Sequence, residues 1–170
     1  MQFSATNILR PKILLCILLL PLLNSCIILL FGAGTLGGFD QRVFPANKRT
    51  LEWALDALYE EYPEYAVPGK WKHFDDWTAR GYDFLDTRIF YFASSPEEMY
   101  YVSFIGDSAM QANYPDRSIL AVRAVHNGTG GWKLREDIKR GERERIEDRF
   151  HKEIIAKLEE YTHTEAIRKK

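Results

Sequence analysis

Three runs decide the reading of this chain: TRIFYFA at residues 87–93, EMYYVSFIG at 98–106 and SILAVRAVHN at 118–127. Each is dense in β-branched and aromatic side chains, which pack well on a pleated surface, so each is expected to be a strand. Only Ser94, Ser95, Pro96 and Glu97 separate the first two. A connection that short demands an antiparallel hairpin. In the third run Leu120, Val122 and Ala124 alternate with Ala121 and Arg123, which turns Arg123 towards water or a site. Asn127, Gly128, Thr129, Gly130 and Gly131 then form a turn, since Asn-Gly suits a tight reversal with positive φ. It is expected to lead into a fourth strand at residues 132–135.

Helical patterns flank these strands. Leu51, Ala54, Leu55, Leu58 and Tyr62 recur at i, i+3, i+4, i+7 and i+11, the apolar stripe of a helix over residues 48–62. Asn47 is placed to cap it, and Pro63 to end it. A second stripe, Ile146, Phe150, Ile154, Ile155, Leu158 and Tyr161, predicts a helix over residues 141–161. Between the first helix and the first strand, residues 64–86 show neither period. Their Trp71, Phe74, Trp77, Tyr82 and Phe84 are too apolar for a disordered segment, so an ordered loop over the core is expected. The element order argues for an α+β domain: an antiparallel four-stranded meander with the N-terminal and C-terminal helices packed on one face. One such domain is assigned to residues 39–170.

The N-terminus carries an address. Arg10 and Lys12 precede an apolar run from residue 13 to 23, which closes with Leu23, Asn24, Ser25 and Cys26. A cationic start, a short apolar stretch and a small residue before the cut make a secretory signal peptide. With the cysteine after the cut, the segment resembles the signal peptides of bacterial lipoproteins. That resemblance covers residues 1–26. It implies a signal at residues 1–25 and acylation of Cys26, the lipidation site and mature N-terminus. Gly32, Gly34, Gly37 and Gly38 make residues 26–38 a flexible tether. The competing reading is an uncleaved anchor, because the apolar run resumes at Ile27 and residues 13–31 are long enough to span a bilayer. In both readings the C-terminal bulk is exported by the positive-inside bias. The expected location is therefore extracytoplasmic, with the membrane itself as a partner.

Composition narrows the chemistry. Cys16 and Cys26 are the two cysteines of the chain, so the expected domain contains no thiol for a disulfide, a nucleophile or a thiolate zinc site. The net charge of −1 conceals a division. Residues 50–116 carry thirteen acidic side chains against the four basic ones Lys70, Lys72, Arg80 and Arg88, whereas residues 117–170 carry fourteen basic against ten acidic. The halves either neutralise one another or leave an acidic face that steers a cationic partner. Nucleic acid, which calls for a concentrated basic stripe, is not expected.

Candidate site residues fall into two groups. Trp71, Trp77, Tyr82, Tyr100, Tyr101 and Tyr114 form an aromatic set suited either to core packing or to ligand binding. Tyr100 and Tyr101 are neighbours on a strand and face opposite ways, so at least one is expected to leave the core. His73, Asp75 and Asp76 form an acidic cluster, but a metal site needs three or four convergent ligands and no second histidine stands at a helical i, i+4 spacing, so neither metal nor cofactor is expected. Asp107, Ser108 and His126 contain the residue types of a hydrolase triad without the nucleophile elbow, so no catalytic residue is assigned. The expectation is a non-enzymatic envelope module that binds another envelope protein. Two alternatives stand beside it. One is a glycan-binding or glycan-cleaving protein using Trp71 and Trp77 as a stacking platform with Asp75 and Asp76 as its acids, which requires exposed tryptophans. The other is an immunity-type inhibitor of a cationic toxin.

Overall fold

The computed structural model describes residues 38–82, 85–106 and 108–169, apart from the side chain of Ser108. All of them belong to the compact unit Gly37–Lys170. Cys26, the signal segment and the tether up to residue 37 lie outside the described residues. Among the described residues no helix is long and apolar enough to cross a membrane.

The elements are β1 (Gln41–Phe44), α1 (Lys48–Glu61), β2 (Thr87–Phe92), β3 (Glu98–Ile105), α2 (Ser108–Asn113), β4 (Ser118–His126), α3 (Arg140–Phe150), α4 (Ala156–Thr162) and β5 (Ile167–Arg168). A π-helical turn at His151–Ile155 joins α3 to α4, and short 3-10 turns occupy Pro63–Tyr65, Gly69–Phe74 and Arg135–Asp137. The protein is thus α+β, with one antiparallel sheet in the order β2-β3-β4-β1-β5.

Local chemistry explains α1. The Asn47 side chain accepts from the Thr50 N–H at 2.9 Å, satisfying one of the free donors of the first turn. The helix ends one residue before the expected boundary, and Pro63 opens the following 3-10 turn.

The sheet has five strands rather than the expected four, and its membership differs. Residues 132–135 contribute a single bridge, Lys133 to Val125, before Asp137 Oδ2 accepts from the Leu134 N–H at 2.8 Å and turns the chain away. The edge of β4 that this segment would need is already taken. β1 pairs along it from Gln41 opposite Ala121 to Phe44 opposite Ser118, and the Phe39 N–H donates to the Val122 carbonyl at 2.9 Å. β5 then adds to the far side of β1. Helix placement differs as well: the C-terminal helical run is interrupted by its π turn, and α2 lies between β3 and β4, where no helix was expected.

One irregularity in β4 shapes both faces of the sheet. Tyr101 pairs with Ala124 but Val102 pairs with Val122, leaving Arg123 as an inserted residue. Such a bulge resets the alternation of side chains. Leu120, Val122 and Val125 therefore share one core, three residues separating the last pair instead of two. On that face they meet Phe44, Phe90, Phe92, Tyr100, Val102 and Phe104, the α1 stripe, and Ile146, Phe150, Ile154, Ile155 and Leu158. The opposite face holds a separate cluster of Trp71, Tyr91 and Met99, with Val67, Phe74, Ile89 and Trp132 packed against it.

Candidate functional site

The second face of the sheet gathers most of the aromatic candidates. It is covered by the chain at residues 67–82 and at 127–132, which carries Val67, Trp71, Phe74, Trp77 and Trp132 onto it. Trp71 meets Tyr91, Phe74 and His126 edge-on at ring-centre distances of 5.6, 5.7 and 5.8 Å. Trp77 lies flat on Tyr101 at 3.9 Å, and the Trp132 N–H donates to the Phe74 carbonyl at 2.8 Å. Trp71 and Trp77 are only 6 % and 5 % exposed. Neither offers a free face for a sugar, which corrects the stacking-platform reading. Tyr100 and Tyr101 do point to opposite faces, yet both are buried. The expectation that one would leave the core fails because the loops seal the second face. Tyr100 belongs to the helix-covered core, where its hydroxyl meets Glu98 at 3.1 Å. Tyr82 is half-buried beside Trp77, at 5.3 Å, while Tyr114 is exposed next to Arg117.

The acidic cluster does not converge. His73 packs against the Phe74 ring, Asp76 pairs with Arg80 at 2.8 Å, and Asp75 stands exposed, its carboxyl raised above the ordinary range by partial burial and by the neighbouring Asp76 charge. Among the described residues no three such side chains are grouped as metal ligands. Asp107 and the Ser108 side chain lie outside the described residues.

His126 is a structural residue. Its Nδ1 accepts from the Gly128 N–H at 3.0 Å, and this leaves the Nε2–H to donate to the Gly130 carbonyl at 3.2 Å. The neutral ring thereby pins the glycine turn. Burial lowers its pKa, as expected for a group whose charged form is stripped of water. Gly128 and Gly130 adopt φ of +80° and +70°, the backbone that their glycine identity permits.

Beside Trp77 the second face opens into a cleft of about 480 Å³ lined by Tyr59, Val67, Asp75, Trp77, Thr78, Tyr82, Leu85, Thr87, Arg88, Ile89 and Tyr101, with Ala66. Trp77 Nε1 and the Tyr101 hydroxyl are buried away from the cleft and lack hydrogen-bond partners of normal geometry among the described residues. Desolvation, the main cause, raises the Tyr101 pKa. An unsatisfied buried donor costs about 1–3 kcal/mol. Arg123, which the sequence places towards water or a site, is buried on this face, its Nε donating to Ser103 at 2.8 Å.

Two further features escaped sequence reasoning. Glu98 is buried at the start of β3 and clamped by Arg145 at 2.5 Å and Arg149 at 3.0 Å. Nothing in the sequence marks one glutamate of the Glu97-Glu98 pair as internal. On the outer side of α1, Trp53 is 59 % exposed. A helical wheel does carry that signal, because Trp53 lies off the stripe of Leu51, Ala54, Leu55 and Leu58. The Trp53 ring meets Tyr161 of α4 edge-on at 6.4 Å, and the Tyr161 hydroxyl donates to Glu61 at 2.6 Å. Asp56, Glu60, Glu61 and Glu160 are exposed on the same two helices, with Arg49 one turn before Trp53 and Lys157 folded over the Tyr62 ring at 4.8 Å. The division of charge seen in the sequence thus has a local counterpart, an acidic face around an exposed tryptophan. Compared with protein-family models, with curated proteins and with solved structures, the chain matches none.

Proposed function

We propose that this chain is a membrane-anchored extracytoplasmic binding module without catalytic activity, and that its α1–α4 face receives a cationic protein of the same compartment. The observation that carries the reading is Trp53, a large apolar side chain left in water amid Asp56, Glu60, Glu61 and Glu160. Tryptophan is over-represented among the residues that dominate binding energy, and surrounding charge sets partner choice and association rate. Attachment rests on the lipoprotein-like segment: acyl chains on Cys26 would hold the module at the bilayer, since two chains anchor stably where one does not.

The test uses the full-length protein in detergent. Wild type, Trp53→Ala and the charge reversal Glu60→Lys/Glu61→Lys are compared as bait for solubilised envelope proteins. A basic protein retained by wild type, released by raised salt and lost from both variants is the expected result. Retention that is indifferent to both variants overturns the assignment of this face. Fatty-acid labelling tests the anchor, with incorporation into wild type and none into Cys26→Ala; equal labelling overturns the attachment site.

A further inference from the structure

The chain enters the described fold at Gly38, beside the β1–β5 end of the sheet. There Arg168 of β5 pairs with Glu147 of α3, which places it, with its strand neighbour Arg42, on the helix-covered side. Alternation along β1 and β5 turns Gln41, Val43, Ile167 and Lys169 to the opposite side. Ile167 is 67 % exposed on that side, and Val43 is half-buried. A hollow of about 350 Å³ adjoins them, lined by Gly38, Phe39, Gln41, Arg135 and Lys169. Arg135 and Lys169 are both exposed, and neither forms an ion pair among the described residues. No carboxylate lines the hollow; the exposed Glu136, next to Arg135 in the chain, is not among its walls.

An aliphatic side chain left in water beside two unpaired cations suits the surface of an anionic bilayer: the apolar group enters the headgroup layer and the cations meet phosphates. Chain length brings the two together. Eleven residues separate Cys26 from Gly38, and a stretch of that length spans at most about 40 Å. An anchor at Cys26 therefore confines the Gly38 end to that distance from the bilayer, where even a weak surface acts at high effective concentration. We propose that the β1–β5 end of the second face docks on anionic phospholipid, with Arg135 and Lys169 on headgroup phosphates and Ile167 among the headgroups. The proposal rests on the anchoring reading above. Docking in this way turns the Trp53 face, on the helical side of the sheet, away from the lipid.

The experiment uses the full-length protein reconstituted into vesicles of equimolar phosphatidylglycerol and phosphatidylcholine, or of phosphatidylcholine alone, each with a trace of lipid carrying a photoreactive headgroup. Flotation reads anchoring, and after illumination mass spectrometry locates the lipid adducts. The expected result in the anionic vesicles is labelling concentrated on the peptides that contain β1, Arg135 and β5, with the Trp53 helix unlabelled. That labelling is expected to drop about tenfold in Arg135→Gln/Lys169→Gln, because each cation near an anionic surface strengthens attraction to it, and to drop likewise without phosphatidylglycerol. The lipid comparison needs no variant, so it decides the matter even if the double variant does not fold. Protein that floats but is labelled evenly on both sides, or equally in the two lipid compositions, overturns the docking and leaves the anchor standing. Protein that does not float overturns the anchor and this proposal with it.

Discussion

The two faces of the sheet are covered by different means, and their interiors differ accordingly. Helices cover the first. Each helix repeats an apolar residue every turn, so the cover is a continuous row of apolar side chains, and the buried Glu98 beneath it is paired with Arg145, Arg149 and Tyr100, with Arg145 Nη1 left over. Irregular chain covers the second. A loop supplies few inward positions, so each must cover much area, and Trp71, Trp77 and Trp132 do so at roughly 150–250 Å² apiece. Loops also bring polar atoms inward. Some are satisfied, as in His126 with its glycine turn and Trp132 with Phe74, and Asp76 Oδ1, Trp77 Nε1 and the Tyr101 hydroxyl are not. The face closed by loops thus leaves several buried polar atoms without partners, whereas the face closed by helices leaves Arg145 Nη1.

That contrast is sharpest in variants that remove cover. Phe150→Ala, at the centre of the helix-covered core, is expected to cost about 3–5 kcal/mol in a denaturant titration, enough to threaten folding. A loss below about 1 kcal/mol would mean that this core collapses around the gap and is not the dominant one. On the loop-covered face, Gly128→Ala forces a side chain into positive φ and brings its Cβ to 3.1 Å from the Trp71 ring. The expected cost is smaller, about 1–2 kcal/mol, with a change in near-ultraviolet circular dichroism from the displaced indole. Unaltered aromatic signals would show that the turn and Trp71 are not coupled.

The smallest effect expected is that of acid. His126 is held neutral with a folded-state pKa below its ordinary 6.5, so the unfolded chain binds the proton more readily. Its contribution to stability is therefore present above about pH 6.5 and is lost as pH falls from there through the folded-state value. Melting temperature should decline over that window in wild type and more shallowly in His126→Asn. Identical pH profiles would remove His126 from the account of the second face.

Much of this was legible in the amino-acid order. The stripe of α1, its Asn47 cap and Pro63 stop, and the runs that became β2, β3 and β4 are local features: their periods and end signals are set by neighbours within a few residues. Trp53 was legible in the same way, as a large residue off the stripe, although the broader aromatic set drew attention elsewhere. The candidate site was less legible. Trp71, Trp77, Tyr82 and Tyr101 do gather at one place, but His73, Asp75 and Asp76 diverge, and Tyr100 belongs to the other core.

By itself, then, the sequence determined the α+β class, the hairpin and the apolar stripe of α1, because alternation and 3.6-residue periods follow from backbone geometry. Only the tertiary structure decided who pairs with β4. Gln41–Phe44 is too short to announce itself as a strand, and it displaces residues 132–135 solely because a sheet edge accepts one neighbour. The same holds for burial. Whether a tryptophan in a loop is wall or binding face depends on which distant segment lies over it, and that information is held in no local stretch of the chain.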